Sequence, residues 1–198
     1  MEVYRKALYL EYVTVGYNVL EGIFSIAAGY RAGSIALVGF GFDSAVESIS
    51  GGIIIWRLAR HGRISKEEEE RVESRATKFV GISFFLLGAY VLFESIKKLY
   101  FLEEPLPTLF GIVIAISSIV TMPALSYSKY KTAKKMGSKS LEADSKETLV
   151  CALLSIALVV GLGLNYLYGI WWADPVAALV IVFFIVKEGI AITWGEEE

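Results

Sequence analysis

The sequence predicts an all-α integral membrane protein: six transmembrane helices in one domain, residues 1–198, with both termini cytoplasmic. Three observations carry that expectation. Hydrophobic residues make up 55% of the chain and mean hydropathy is +0.56, whereas soluble domains hold roughly 45–50% apolar residues. Six apolar stretches, at about 7–28, 34–57, 77–97, 106–127, 141–166 and 171–192, are each long enough to cross a hydrocarbon core of about 30 Å as a helix. Lysine and arginine, which collect in cytoplasmic loops, fall mainly in two connections. Arg57, Arg60, Arg63, Lys66, Arg71, Arg75 and Lys78 lie between the second and third stretches, and Lys129, Lys131, Lys134, Lys135 and Lys139 between the fourth and fifth. The opposite side keeps only Arg31, Lys97 and Lys98.

The first stretch follows Arg5 and Lys6 and runs too long for the h-region of a cleavable signal peptide, so it is expected to target the membrane itself. Glu11, Thr14, Asn18 and Glu21 recur along it at spacings of three and four, a polar stripe suited to an access path, a proton relay or an interhelical hydrogen-bond seam. The second stretch opens at Gly33-Ser34 and carries Asp43 and Glu47, one turn apart and therefore on one face. Before the third, Lys66 to Arg71 places Glu67 four residues ahead of Arg71, the pattern of a solvated helix start rather than of a metal-gathering loop. His61, the only histidine, is expected to be solvated in the same connection. The third stretch ends with Glu94, at helical spacing from Lys97 and Lys98, and Glu103-Glu104-Pro105 punctuates the next connection. Glu142 and Asp144 stand at the start of the fifth stretch, where either suits a cap, and Asp144 lies one turn before Glu147. Tyr168, Trp171 and Trp172 sit where aromatic rings favour the outer interface. Asp174-Pro175 opens the sixth stretch, with the aspartate suited to an N-cap.

Ionisable side chains inside a span are the functional candidates, because each is costly in hydrocarbon unless it faces a cavity or a partner. Asp43 lies about 14 Å into its helix, close to the bilayer midplane. The segment Gly33-Ser34-Ile35-Ala36-Leu37 is echoed by Gly137-Ser138-Lys139-Ser140-Leu141, and the same offset carries Asp43 onto Glu147 and Glu47 onto Cys151. Under the expected topology these two helices run in opposite directions, so equivalent depths meet at the midplane, as in inverted-repeat transporters. Asp43, Glu47, Glu147 and Cys151 then form one anionic set that a divalent cation or protons would make tolerable in low dielectric. The plainer readings are protonated acids hydrogen-bonded across the bundle and a cysteine acting as a small buried hydrophobe. Asp144, Glu11, Asn18 and Glu21 are candidates for access or for supporting the ligands. A single cysteine excludes an internal disulfide. A formal charge of −2 and a pI near 5.6 argue against nucleic acid as a partner. An intramembrane aspartyl protease is disfavoured, since Phe42 interrupts its Gly-x-Gly-Asp signature and both acids share one helix.

These motifs resemble the cation diffusion facilitator superfamily. Ser34-Ile35-Ala36-Leu37 through Asp43 and Glu47 is similar to the family's motif in the second helix. Ser138 through Glu147, with Ala143-Asp144, is similar to the motif in the fifth, and Ala173-Asp174-Pro175 to the start of the sixth. The family commonly has His and Asp where this chain has Glu147 and Cys151. The chain also reaches Glu198 soon after the sixth stretch, where the family usually continues into a cytoplasmic domain, so the expectation is a six-helix bundle with no soluble C-terminal domain. In this it resembles the short branch that includes a vesicular zinc transporter of synapses. The resemblance implies a non-enzymatic secondary transporter in the plasma membrane, acting as a homodimer in the lipid bilayer and moving metal out of the cytoplasm in exchange for protons. Zn2+ is the expected substrate, with Mn2+ or Fe2+ as alternatives given the hard carboxylates. No prosthetic group is expected, and a non-transporting scaffold or partner subunit is the remaining reading.

Overall fold

The computed structural model describes residues 2–60 and 65–194; His61 and Arg63 lie outside them. Six helices follow in order: α1 (Glu2–Ala32), α2 (Ile35–Arg60), α3 (Lys66–Phe101), α4 (Leu109–Met136), α5 (Lys139–Tyr168) and α6 (Ala173–Trp194). No strand occurs among the described residues. By length and composition α2, α4 and the Ser140–Tyr168 part of α5 are apolar enough to cross a membrane. Each expected apolar stretch falls largely within one helix, but the ends differ: residues 34, 106–108 and 171–172 precede α2, α4 and α6, while every helix runs past the end of its stretch, because an apolar window does not mark where a helix is capped. Ser65, for example, accepts a hydrogen bond from the Glu68 amide at 3.2 Å, so α3 starts inside the charged run, with Glu67, Glu68 and Arg71 exposed.

The repeat seen in the sequence is realised in local structure. Gly33 and Gly137 both adopt left-handed backbone, at φ 66° and 67°, a conformation glycine takes without a Cβ penalty. The serine after each then caps a helix: Ser34 Oγ accepts from the Leu37 amide at 3.1 Å and Ser138 Oγ from the Leu141 amide at 3.4 Å. The start of α2 gains a second cap from outside. Asp174 does not cap its own helix as its sequence position suggests; its carboxylate accepts from the Ser34 hydroxyl and, at 3.0 Å, from the Ile35 amide. The expected basic connection between the fourth and fifth stretches is also shorter than foreseen. Helix α4 continues to Met136, so Lys129, Lys131, Lys134 and Lys135 are helical and only Gly137 and Ser138 separate α4 from α5.

α1 packs mainly on α2, α4 on α5 and α3 on α6, with α2 and α5 meeting at the centre. Their cross-links define the pairing: Arg57 donates to Ser140 at 2.8 Å, Ser50 to Glu147 at 3.1 Å and Thr148 to Glu47 at 2.7 Å. Positions fall along α2 as they rise along α5, so the two helices are antiparallel. The α1–α2 approach depends on small residues, as in membrane helix pairs generally. A Cβ on Gly41 would come within 2.7 Å of Ile26 Cγ1 and 3.0 Å of the Gly22 carbonyl. Leu37, Phe40, Leu154, Leu158 and Ile181 form the buried centre, while Leu86, Val120 and Phe183 face outward. Large apolar groups thus face outward along the helices while Glu11, Glu21, Asp43, Glu47, Lys129 and Asp144 are buried, a distribution that lipid rather than water selects.

Candidate functional site

The helical period puts Asp43, Glu47 and Ser50 of α2 on the side facing α5. Asp43 and Glu47 are 8% and 6% exposed, and Glu147 of α5 is half-buried. All three carboxylates and Ser50 line one cavity, closed by Phe84 of α3 and Phe184 of α6 among other apolar groups. Ser50 donates to Glu147 Oε2 and Thr148 to Glu47 Oε1, while Glu47 Oε2 has no hydrogen-bond partner among the described residues. A buried carboxylate oxygen without a donor is costly. Three carboxylates around one cavity form a hard, anionic donor set, the kind that binds divalent cations. Among the described residues no three acidic, histidine or cysteine side chains are gathered closely enough to hold an ion as they stand.

The structure therefore brings Asp43, Glu47 and Glu147 to one cavity, and it places Cys151 beside that cavity instead of in its lining. Cys151 is 1% exposed and its thiol donates to Glu21 Oε2 at 3.9 Å. Glu21 also accepts from Ser44 at 3.0 Å, which ties α1 to α2 and α5 behind the carboxylates. The α1 stripe of Glu11, Thr14, Asn18 and Glu21 is buried, and Ser25, not singled out in the sequence, continues it one turn further. Neither amide atom of Asn18, nor Ser25 Oγ or Ser118 Oγ, has a hydrogen-bond partner among the described residues.

One residue of consequence escaped the sequence reading. Lys129, assigned there to a basic loop, is fully buried, and its ammonium contacts Asp144 Oδ2, Glu11 Oε2 at 3.2 Å and Thr148 Oγ1 at 3.3 Å. The correction has a physical cause: a lysine is normally solvated, but α4 runs on past Lys129 and two acids from α1 and α5 compensate the loss of water here. The only available signal was the pair of intramembrane acids, which require a cation from somewhere. Asp144 and Glu11 thus meet each other through Lys129, while Glu142, also considered as a cap, pairs with exposed Lys134 at 2.9 Å. Glu94 pairs with Lys97 at 3.3 Å, at the helical spacing seen in the sequence.

Residues 12–195 match the family described as the cation efflux transmembrane domain. The chain is 27% identical to an uncharacterized transporter of Methanocaldococcus jannaschii over 86% of its own length and 61% of the relative's. It is 20% identical to transmembrane protein 163 of Xenopus laevis, covering 95% and 66% of the two chains. Its identity to a cadmium, cobalt and zinc/H(+)-K(+) antiporter of Bacillus velezensis is 22%, covering 96% and 60%. The chain thus spans about three fifths to two thirds of the length of these curated relatives. Together, a match to a transmembrane domain and several long apolar helices make it a multi-pass integral membrane protein.

Proposed function

The chain belongs to the cation efflux family, and from that premise we propose that it is a secondary active transporter, not an enzyme, exporting a divalent metal cation from the cytoplasm in exchange for protons. The carrying observation is the cavity shared by Asp43, Glu47 and Glu147 on two antiparallel helices. In this reading all six helices span the cell membrane with both termini cytoplasmic, and two copies of the chain work as a homodimer within the bilayer. Asp43, Glu47 and Glu147 are the metal ligands. Cys151, one turn beyond Glu147 and next to the cavity, is the fourth donor once its side chain turns away from Glu21. Closure of α5 on α2 gathers the donors, and opening to the far side releases the ion. Glu21 and Asn18 border the route along α1, while Glu11 and Asp144 act through Lys129.

Zinc is favoured as substrate because thiolate and carboxylate both suit it. A specific observation favours manganese or iron(II) as the second reading: the polar groups that now line the cavity are all oxygen donors. Coupling to protons follows from ligand chemistry. Carboxylates must be deprotonated to coordinate, so binding displaces protons, and acid on the far side displaces metal.

Isothermal titration of zinc and of manganese into the purified protein, beside Asp43→Ala/Glu47→Ala, tests the site across a pH series. Saturable binding that weakens with acid and is lost in the variant is expected. Proteoliposomes of Asp43→Ala that transport as fast as the parent would overturn the mechanism.

A further inference from the structure

The proposed transport cavity accounts for Asp43, Glu47 and Glu147 but leaves the second buried charged cluster without a role. Lys129 of α4 reaches between α1 and α5, and its ammonium meets three oxygens, from Glu11, Asp144 and Thr148. Glu11 Oε1 and Asp144 Oδ1 have no hydrogen-bond partner among the described residues, although both residues are almost completely buried. Two carboxylates and a hydroxyl around one cation, with further carboxylate oxygens unengaged, are a donor set that a hard divalent ion would also satisfy. Lysine is a compact point charge on a flexible stem. Attached to α4, it is present at a high effective concentration that no free ion matches.

We propose that Lys129 is a tethered cation filling an oxygen-lined site that a divalent ion would otherwise occupy, so that the transported metal has the Asp43–Glu47–Glu147 cavity as its single stopping place. Lys129 is thus a specificity-determining residue, and the role rests on the transport reading given above. The position of the cluster fits it. Thr148 accepts from Lys129 and donates to Glu47 Oε1 at 2.7 Å, so the ammonium sits one hydroxyl away from a cavity ligand. An ion lodged at Glu11 and Asp144 would be trapped beside the transport site and would repel the cargo. A lysine supplies the neutralising charge without becoming cargo.

The test counts manganese(II) bound per chain in purified protein, from the electron paramagnetic resonance signal of the unbound ion. Lys129→Ala is expected to bind one equivalent more than the parent. Lys129→Arg and Lys129→Ala/Asp144→Asn are expected to match the parent, the first because a cation is restored and the second because the donor set is broken. A purely structural ion pair would lower stability without adding a metal site, so a Lys129→Ala protein that binds no more than the parent overturns the proposal. The two readings fail separately. A parent that binds neither zinc nor manganese in titration calorimetry, while Lys129→Ala gains one equivalent of manganese, removes the transport cavity and sustains Lys129 as the cation that fills the oxygen-lined site.

Removing a buried cation can also prevent folding, and the proposal covers that case. Lys129→Ala should then elute as a monodisperse species only when extracted in manganese. Aggregation with and without the ion, while Lys129→Ala/Asp144→Asn stays monodisperse, overturns it.

Discussion

Thr148 stands between the two charged centres of the molecule, accepting from Lys129 and donating to Glu47. A hydroxyl in that position orients the carboxylate through Oε1, while Glu47 Oε2 has no hydrogen-bond partner among the described residues. Partners that orient metal ligands are typically worth about 10–100-fold in metal affinity. Thr148→Val, nearly the same shape without the hydroxyl, is therefore expected to weaken zinc binding by about that factor. Glu47→Gln, which keeps an oxygen for Thr148 but loses the charge, should weaken it further. Titration calorimetry of both variants reads the order. Unchanged affinity in Thr148→Val would mean that Glu47 does not need this orientation to bind metal, and unchanged affinity in Glu47→Gln would remove it from the ligand set.

At the scale of the helix, the question is what holds α2 where its carboxylates can meet α5. Its first turn is fixed by Ser34 and by the carboxylate of Asp174, which comes from α6, 140 positions from Ser34 in the sequence. Hydrogen bonds to a charged group contribute about 1.5–3 kcal/mol, so Asp174→Ala should destabilise the fold by about that amount. Asp174→Asn, which can still accept one bond, should lie between Asp174→Ala and the parent. Thermal unfolding followed by tryptophan fluorescence in detergent measures the series; an Asp174→Ala protein as stable as the parent would show that α2 starts correctly without this clamp. The clamp also marks what a sequence can reveal. Helix identity was legible from apolar runs, the Gly-Ser repeat foretold the paired starts of α2 and α5, and the one-turn spacing put Asp43 and Glu47 on one face. The capping of α2 by Asp174 and the burial of Lys129 were not legible, since each depends on a partner brought close only by tertiary packing. Cys151 illustrates the same limit. Its offset in the repeat was legible, but the direction of its thiol depends on Glu21 of another helix.

The molecule as a whole is asymmetric in charge, and that asymmetry predicts which end of the bundle faces the cytoplasm. Arg57 and Arg60 close α2, while Lys131, Lys134 and Lys135 close α4, and all of these belong to one end of the bundle, where Arg57 reaches Ser140 at the start of α5. The other end holds Arg31, Lys97 and Lys98 beside Glu103 and Glu104. Positive charge is retained on the cytoplasmic side during insertion, so the proposed topology has the α4–α5 turn inside and the α3–α4 connection outside. The single cysteine makes this testable without removing it, because Cys151 is buried and should react slowly with reagents in water. Glu104→Cys and Lys135→Cys each add a thiol at an exposed position on opposite ends. A membrane-impermeant maleimide applied to intact cells is expected to label Glu104→Cys promptly and Lys135→Cys only after the membrane is opened. The reverse pattern would turn the bundle over, with the basic end facing outward, and would overturn the proposed topology.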